Sequence, residues 1–186
     1  MTRAMFVILP VVALALSAGC SQNEPGSALT SDTPASTQHS GASNAPTSAP
    51  SNASTASIEP CSLLSFADVS SFGTFKERPE EDEGLGARSC TYYPERTDAA
   101  RLPTVGVDVR DDQDVDSVND EGLGINTGEL NGRNLAQVPA HGGCIIALGV
   151  GAGSRVDVAV TGLDTDASCD LVGRVAEIVE PKLPEG

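Results

Sequence analysis

Four cysteines, Cys61, Cys90, Cys144 and Cys169, lie downstream of an N-terminal stretch that reads as an export signal, and this pairing constrains the fold most. Arg3 precedes an apolar run from Met5 to Leu16, followed by Ser17-Ala18-Gly19-Cys20. The run is much shorter than the roughly twenty residues that a membrane-spanning helix needs. It reads instead as a secretory signal over 1–19, with Ala18 and Gly19 small enough for a processing enzyme's pocket. An even number of downstream cysteines in an exported chain predicts two disulfides. No two of them form a CxxC pair, the spacing typical of zinc and dithiol redox sites. Three pairings are open, and Cys61 with Cys169 and Cys90 with Cys144 is the expected one, since it joins two helix starts and two strands. Bracing worth about 4 kcal/mol per loop in the chain-entropy model suits a core with no Trp and 3% aromatic residues.

Cys20 is placed to receive lipid on its sulfur and acyl on its amine, so the mature chain is expected to begin there. Ser17 stands where the bacterial lipobox usually has leucine, and Leu16 lies one position earlier. Two or three acyl chains hold a protein stably to a membrane, whereas one does so only marginally. From Ser21 to Ser57, ten of the 37 residues are Ser, five Thr, seven Ala and four Pro, and Leu29 is the only large apolar side chain. Such a segment buries too little surface to offset the entropy of ordering it, so 20–57 reads as lipidated Cys20 plus a flexible tether. As a coil it spans roughly 35 Å. The Ser/Thr/Pro richness also suits O-glycosylation, while the sequon Asn52-Ala53-Ser54, downstream of a lipobox of bacterial type, reads as a chance match.

The remainder, 58–186, has the size of one domain. It holds 24 Asp and Glu against 10 Lys and Arg, an excess of 14 negative charges. That excess repels phosphate backbones and anionic headgroups, which argues against nucleic acid as a partner and against a domain lying flat on a membrane. Solubility alone accounts for such a charge, and a basic partner would complement it.

Pro60 to Val69 predicts a short helix, with Pro in the first turn and Leu63, Phe66 and Ala67 at helical spacing. Thr74 to Gly86 reads as an exposed acidic loop. Alternation predicts strands over Arg88 to Tyr93 and Thr104 to Arg110, connected by Pro94 to Pro103. Thr127 to Leu130 and Arg133 to Val138 flank Asn131-Gly132, the strongest short hairpin signal. A second hairpin pairs Cys144 to Leu148 with Arg155 to Val160. Thr165 and Asp166 cap a last helix from Ala167 to about Lys182, striped by Leu171, Val172, Val175, Ile178 and Val179. The expected fold is α+β: an antiparallel sheet of about five strands with an N-terminal and a C-terminal helix packed on one face.

Signals for chemistry are weak. An EF-hand frame begun at Asp112 supplies carboxylates at loop positions one, three, five and nine. It then fails at Ser117, where the turn needs Gly, and at Leu123, where the ion needs a bidentate Glu; Asp111 to Glu121 therefore reads as a solvated acidic loop or helix start. Gly149 to Gly153 resembles half of a phosphate-binding fingerprint, but a strand follows it where that motif requires a helix. His141, the domain's only histidine, sits in a glycine-flanked turn, and no serine stands in a nucleophile-elbow sequence. Two carboxylates meeting in a cleft would suit glycoside cleavage, yet sugar platforms favour aromatics and the domain has two Tyr and no Trp. No catalytic, metal-binding or cofactor-binding residue is assigned, and no cofactor is expected.

The cysteine frame carries a resemblance. Pro60-Cys61-x-Leu63-Leu64, Cys90-Thr91-Tyr92, Leu130-Asn131-Gly132-Arg133-x-x-Ala136, Cys144 opening a strand, and Cys169 heading a helix that closes Val175-Ala176-x-x-Val179-x-Pro181-x-Leu183-Pro184 together resemble the domain of unknown function 3558. This is a family of small lipoproteins from high-GC Gram-positive bacteria. Tyr92 departs from it, since members commonly carry Trp there. The resemblance implies an envelope location and a disulfide-braced α+β domain, and it implies no activity. The expected role is a non-enzymatic binding module, lipid-anchored at the outer face of the cell membrane, that engages an envelope protein or wall component. The alternatives are a carrier of lipid or another apolar small molecule, held between sheet and helices, and, third, an envelope hydrolase.

Overall fold

Valine alternation builds the centre of the sheet. Thr104–Arg110 and Ser154–Thr161 pair antiparallel in register, with Val105 opposite Val160, Val107 opposite Val158 and Val109 opposite Val156. All six valines are fully buried, and β-branched side chains fit this pleated surface well. The computed structural model describes residues 53–95 and 101–185. The expected signal over 1–19, Cys20 and the tether as far as Asn52 lie outside the described residues, as do residues 96–100 of the Pro94 to Pro103 connection.

The elements in chain order are α1 (Pro60–Leu63), α2 (Phe66–Val69), β1 (Glu80–Gly84), β2 (Ala87–Tyr92), β3 (Thr104–Arg110), β4 (Asn126–Leu130), β5 (Arg133–Ala140), β6 (Gly143–Val150), β7 (Ser154–Thr161) and α3 (Thr165–Val179). They form one seven-stranded antiparallel sheet in the order β1-β2-β3-β7-β6-β5-β4. Its inner face presents Cys90, Tyr92, Val107, Val158, Cys144, Ile146 and Leu148 to α1, α2 and α3. Along α3, Leu171, Val172, Val175, Ala176 and Val179 are buried against that face. The cap is Asp164, not the expected Thr165 and Asp166, which already lie in the first turn; Asp164 accepts from the Ala167 amide at 2.9 Å.

Several expectations are corrected. The sheet has seven strands, because Glu80–Gly84 pairs with β2 instead of forming a loop. As an exposed edge strand it has no buried side of its own, so no apolar alternation marks it. The N-terminal helix is two separate turns. Ser65 accepts from the Asp68 amide at 3.2 Å while Asp68 accepts from the Ser65 amide at 2.9 Å, a capping box that starts a new turn. Leu64 between them is extended and fully buried.

The disulfides are Cys61–Cys90 and Cys144–Cys169, with Cα separations of 5.2 Å and 5.0 Å. The alternative of Cys90 with Cys144 fails on strand order. From β2 to β6 is three strand steps, about 14 Å at the usual spacing, and a disulfide reaches about 7 Å. Each bridge therefore ties a helical element to the strand beneath it. Thr55, in the stretch expected to be tether, is fully buried, and its hydroxyl donates to Asp111 at 2.7 Å.

Candidate functional site

The acidic strand β1 and the first helical turn border a groove of about 310 Å³ beside the Cys61–Cys90 bridge. Strand alternation directs Glu81 and Glu83 to the α1 side, since they pair with the inner-face residues Cys90 and Arg88; Glu59, just before α1, completes the rim. None of the three makes an ion pair among the described residues. Arg88, the cation in the groove, is spent internally. Its guanidinium donates to the Ile58 and Thr55 carbonyls and to both oxygens of Asp111, the nearest at 3.0 Å. Arg88 and then the Thr55 hydroxyl hold the Asp111 carboxyl below its ordinary range. The groove is thus left with a net field that attracts cations.

The other candidates serve the fold. Within the acidic stretch, Asp111 ties the entering chain to β2, and Asp120 Oδ1 accepts from the Gly122 and Gly124 amides at 2.7 and 2.9 Å. The Asp114 carbonyl and Ser117 hydroxyl both accept from Arg155 Nη1 at 2.8 Å. No group of three or more His, Cys, Asp or Glu among the described residues is placed to hold a metal ion. Gly149 lies within β6, and Gly151 to Gly153 turns into β7. His141 is exposed in the turn between β5 and β6.

Two charge networks went unseen in the sequence. On the outer face, Asp157 is 4% exposed and lies between Arg155 Nε at 2.7 Å and Arg110 Nε at 2.6 Å. Behind the β4–β5 turn, Arg133 Nε donates to Glu180 at 3.1 Å, Nη1 to the Gly149 carbonyl and Nη2 to the Pro184 carbonyl, both at 2.7 Å. Asn131 donates to the other Glu180 oxygen at 2.8 Å.

The model of a family described as "Protein of unknown function (DUF3558)" matches residues 15–182. The chain belongs to the DUF3558 family. No curated protein and no solved structure matches it. The segments that carried the resemblance meet in pairs in the structure. The Pro60–Leu64 and Cys90–Tyr92 segments join through the Cys61–Cys90 bridge and through Tyr92, whose hydroxyl donates to the Leu64 carbonyl at 2.8 Å. That carbonyl is freed where the helix breaks, and a tyrosine hydroxyl supplies one donor at the far end of its ring, as an indole does. The Leu130–Ala136 and Val175–Pro184 segments join through Arg133, Asn131 and Glu180. In this DUF3558 domain the Cys61–Cys90 bridge, Tyr92, Asn131 and Arg133 thus serve packing and hydrogen bonding.

Asp108 shares the outer face with Asp157, and its carboxyl is pushed above its ordinary range, chiefly by burial and also by the Asp157 charge, against a hydrogen bond from Ser89. The folded chain therefore binds that proton more tightly than the unfolded chain. Stability from this group is greatest below its unfolded pKa and is lost as pH rises through the raised one. Asp68 and Asp111, both lowered, act in the opposite sense and lose their contribution as pH falls through their depressed values. Asp108→Asn is expected to raise the midpoint of urea unfolding at pH 7 and to have little effect at pH 3; an unchanged midpoint at pH 7 would contradict this account.

Proposed function

We propose that the protein is a non-enzymatic binding module of the bacterial envelope, anchored at the outer membrane face by lipid on Cys20. The groove between α1 and β1 is its recognition surface. The observation that carries this reading is the rim itself: Glu59, Glu81 and Glu83 without ion-pair partners among the described residues, beside an arginine already committed to the fold. A basic segment of an envelope protein or wall component complements that rim, and attraction between exposed charges weakens as salt rises. A carrier role finds less support, since the space between sheet and α3 is filled by Val158, Ile146, Val172 and Val175.

The test is recovery of partners from envelope extract by the full lipidated chain, against Glu81→Lys/Glu83→Lys and a charge-matched unrelated domain. A discrete partner should be retained by the native chain at low salt, and lost at 0.5 M salt (roughly a 4 Å screening length) and with the charge reversal. Equal recovery by the unrelated acidic domain would defeat the reading.

A further inference from the structure

Two hairpins of this sheet turn through the same backbone shape with different residues. Leu130 and Arg133 flank Asn131 at φ +52° and Gly132 at φ +83°, while Gly84 and Ala87 flank Leu85 at φ +53° and Gly86 at φ +75°. Positive φ at both central positions is the type I′ turn, for which Asn-Gly is the favoured pair. At position 85 a leucine stands where the other turn has its asparagine. Its Cβ crowds the following carbonyl, and it has no polar group to compensate locally. The same leucine is 99% exposed, against 37 to 43% for the other exposed large apolar side chains among the described residues, Phe66, Tyr93, Leu123 and Ile125. Position 85 is therefore disfavoured in both backbone and solvation, and among the described residues its side chain is left almost wholly exposed.

The tip is nonetheless held in place. Arg110 Nη1 donates to the Leu85 carbonyl at 3.2 Å, and Arg110 Nε is fixed on the buried Asp157. Strained residues that the surrounding structure holds rigidly concentrate at contact sites, and a preorganised apolar tip loses little conformational entropy on insertion.

We propose that Leu85 is the anchor of a protein–protein contact, seated in an apolar pocket of a partner protein whose rim carries Lys and Arg. This rests on the binding-module reading and names the partner's chemistry. The rim follows from charge: Glu80, Glu81, Asp82 and Glu83 all lie exposed directly behind the tip. An anionic lipid surface repels that strand. So does a second copy of a domain with 14 excess negative charges.

The test places a photo-crosslinking residue at position 85 of the full lipidated chain in the envelope, with the same probe at Thr127 on the opposite edge strand and at Glu59 beside the groove. Position 85 is expected to give one discrete protein adduct, at least tenfold weaker in the Glu81→Lys/Glu83→Lys background, and Thr127 none. The second arm is Leu85→Asn, which installs the favoured turn residue and should leave the melting temperature equal or a few degrees higher. Partner recovery should still drop at least tenfold, and the loss then cannot come from unfolding. Undiminished recovery by Leu85→Asn overturns the proposal, as does an adduct at position 85 with lipid or with a second copy. If Glu59 crosslinks a protein and position 85 does not, the anchor is wrong and the binding module stands; if neither does, both fail.

Discussion

Replacing Arg133 with methionine is expected to cost about 3 to 5 kcal/mol, the usual penalty for breaking a buried ion pair from one side. Its guanidinium serves three acceptors: the Glu180 carboxylate and the Gly149 and Pro184 carbonyls. Arg133 and Glu180 are each 8% exposed, so water cannot readily replace the lost donor. The loss is a large part of the 5 to 15 kcal/mol that usually holds a domain together, and thermal unfolding monitored by circular dichroism should show a midpoint lower by about 10 to 20 °C. The double variant Arg133→Met/Glu180→Met removes the stranded carboxylate as well and should be more stable than Arg133→Met alone, since replacing both members of a buried pair is often nearly neutral. A double variant no better than the single one would mean that the two carbonyls, and not the ion pair, carry the cost.

This network explains which parts of the fold were legible in the sequence. Valine alternation in β3 and β7, the Asn131-Gly132 turn and the stripe along α3 are local patterns, and each located its element. Glu80–Gly84 was missed because an exposed edge strand has no buried face to impose a period of two; the glycines at 84 and 86 were the available hint. The break after Leu63 was written in Ser65-x-x-Asp68, a capping signal set against a helical spacing that lost. Disulfide pairing was not legible, because it depends on β3 and β7 lying between β2 and β6. The acidic groove was half visible: its charge stood in the sequence, but Glu59 and Glu81 meet only once β1 is paired. Arg133 finds Glu180 across 47 residues, and no local pattern announces such a partner.

Asp157 shows the same limit from the other side and gives the second large effect. In Arg155-Val156-Asp157-Val158 the period of two assigns the valines to the core and the charged residues to solvent. The valines obey, yet Arg155 and Asp157 are only 5% and 4% exposed. The chain from β3 to β4 must pass β7, β6 and β5, and in doing so it lays Val115 against Gly149 and accepts Arg155 at Asp114 and Ser117. Asp157→Ala strands two guanidinium groups, Arg155 beneath that segment and Arg110 beside the β1–β2 turn, and is expected to cost about 3 to 5 kcal/mol. Amide exchange over residues 112–118 should rise most, since Arg155 is the tie that holds the segment down. A second readout separates electrostatics from general loosening. In the milder Asp157→Asn, Asp108 loses a repelling neighbour while Arg110 stays close, so its carboxyl pKa should fall toward the ordinary value. A carbon-detected titration that finds Asp108 unchanged in that variant would show that burial alone raises it and that the two aspartates on the outer face are uncoupled.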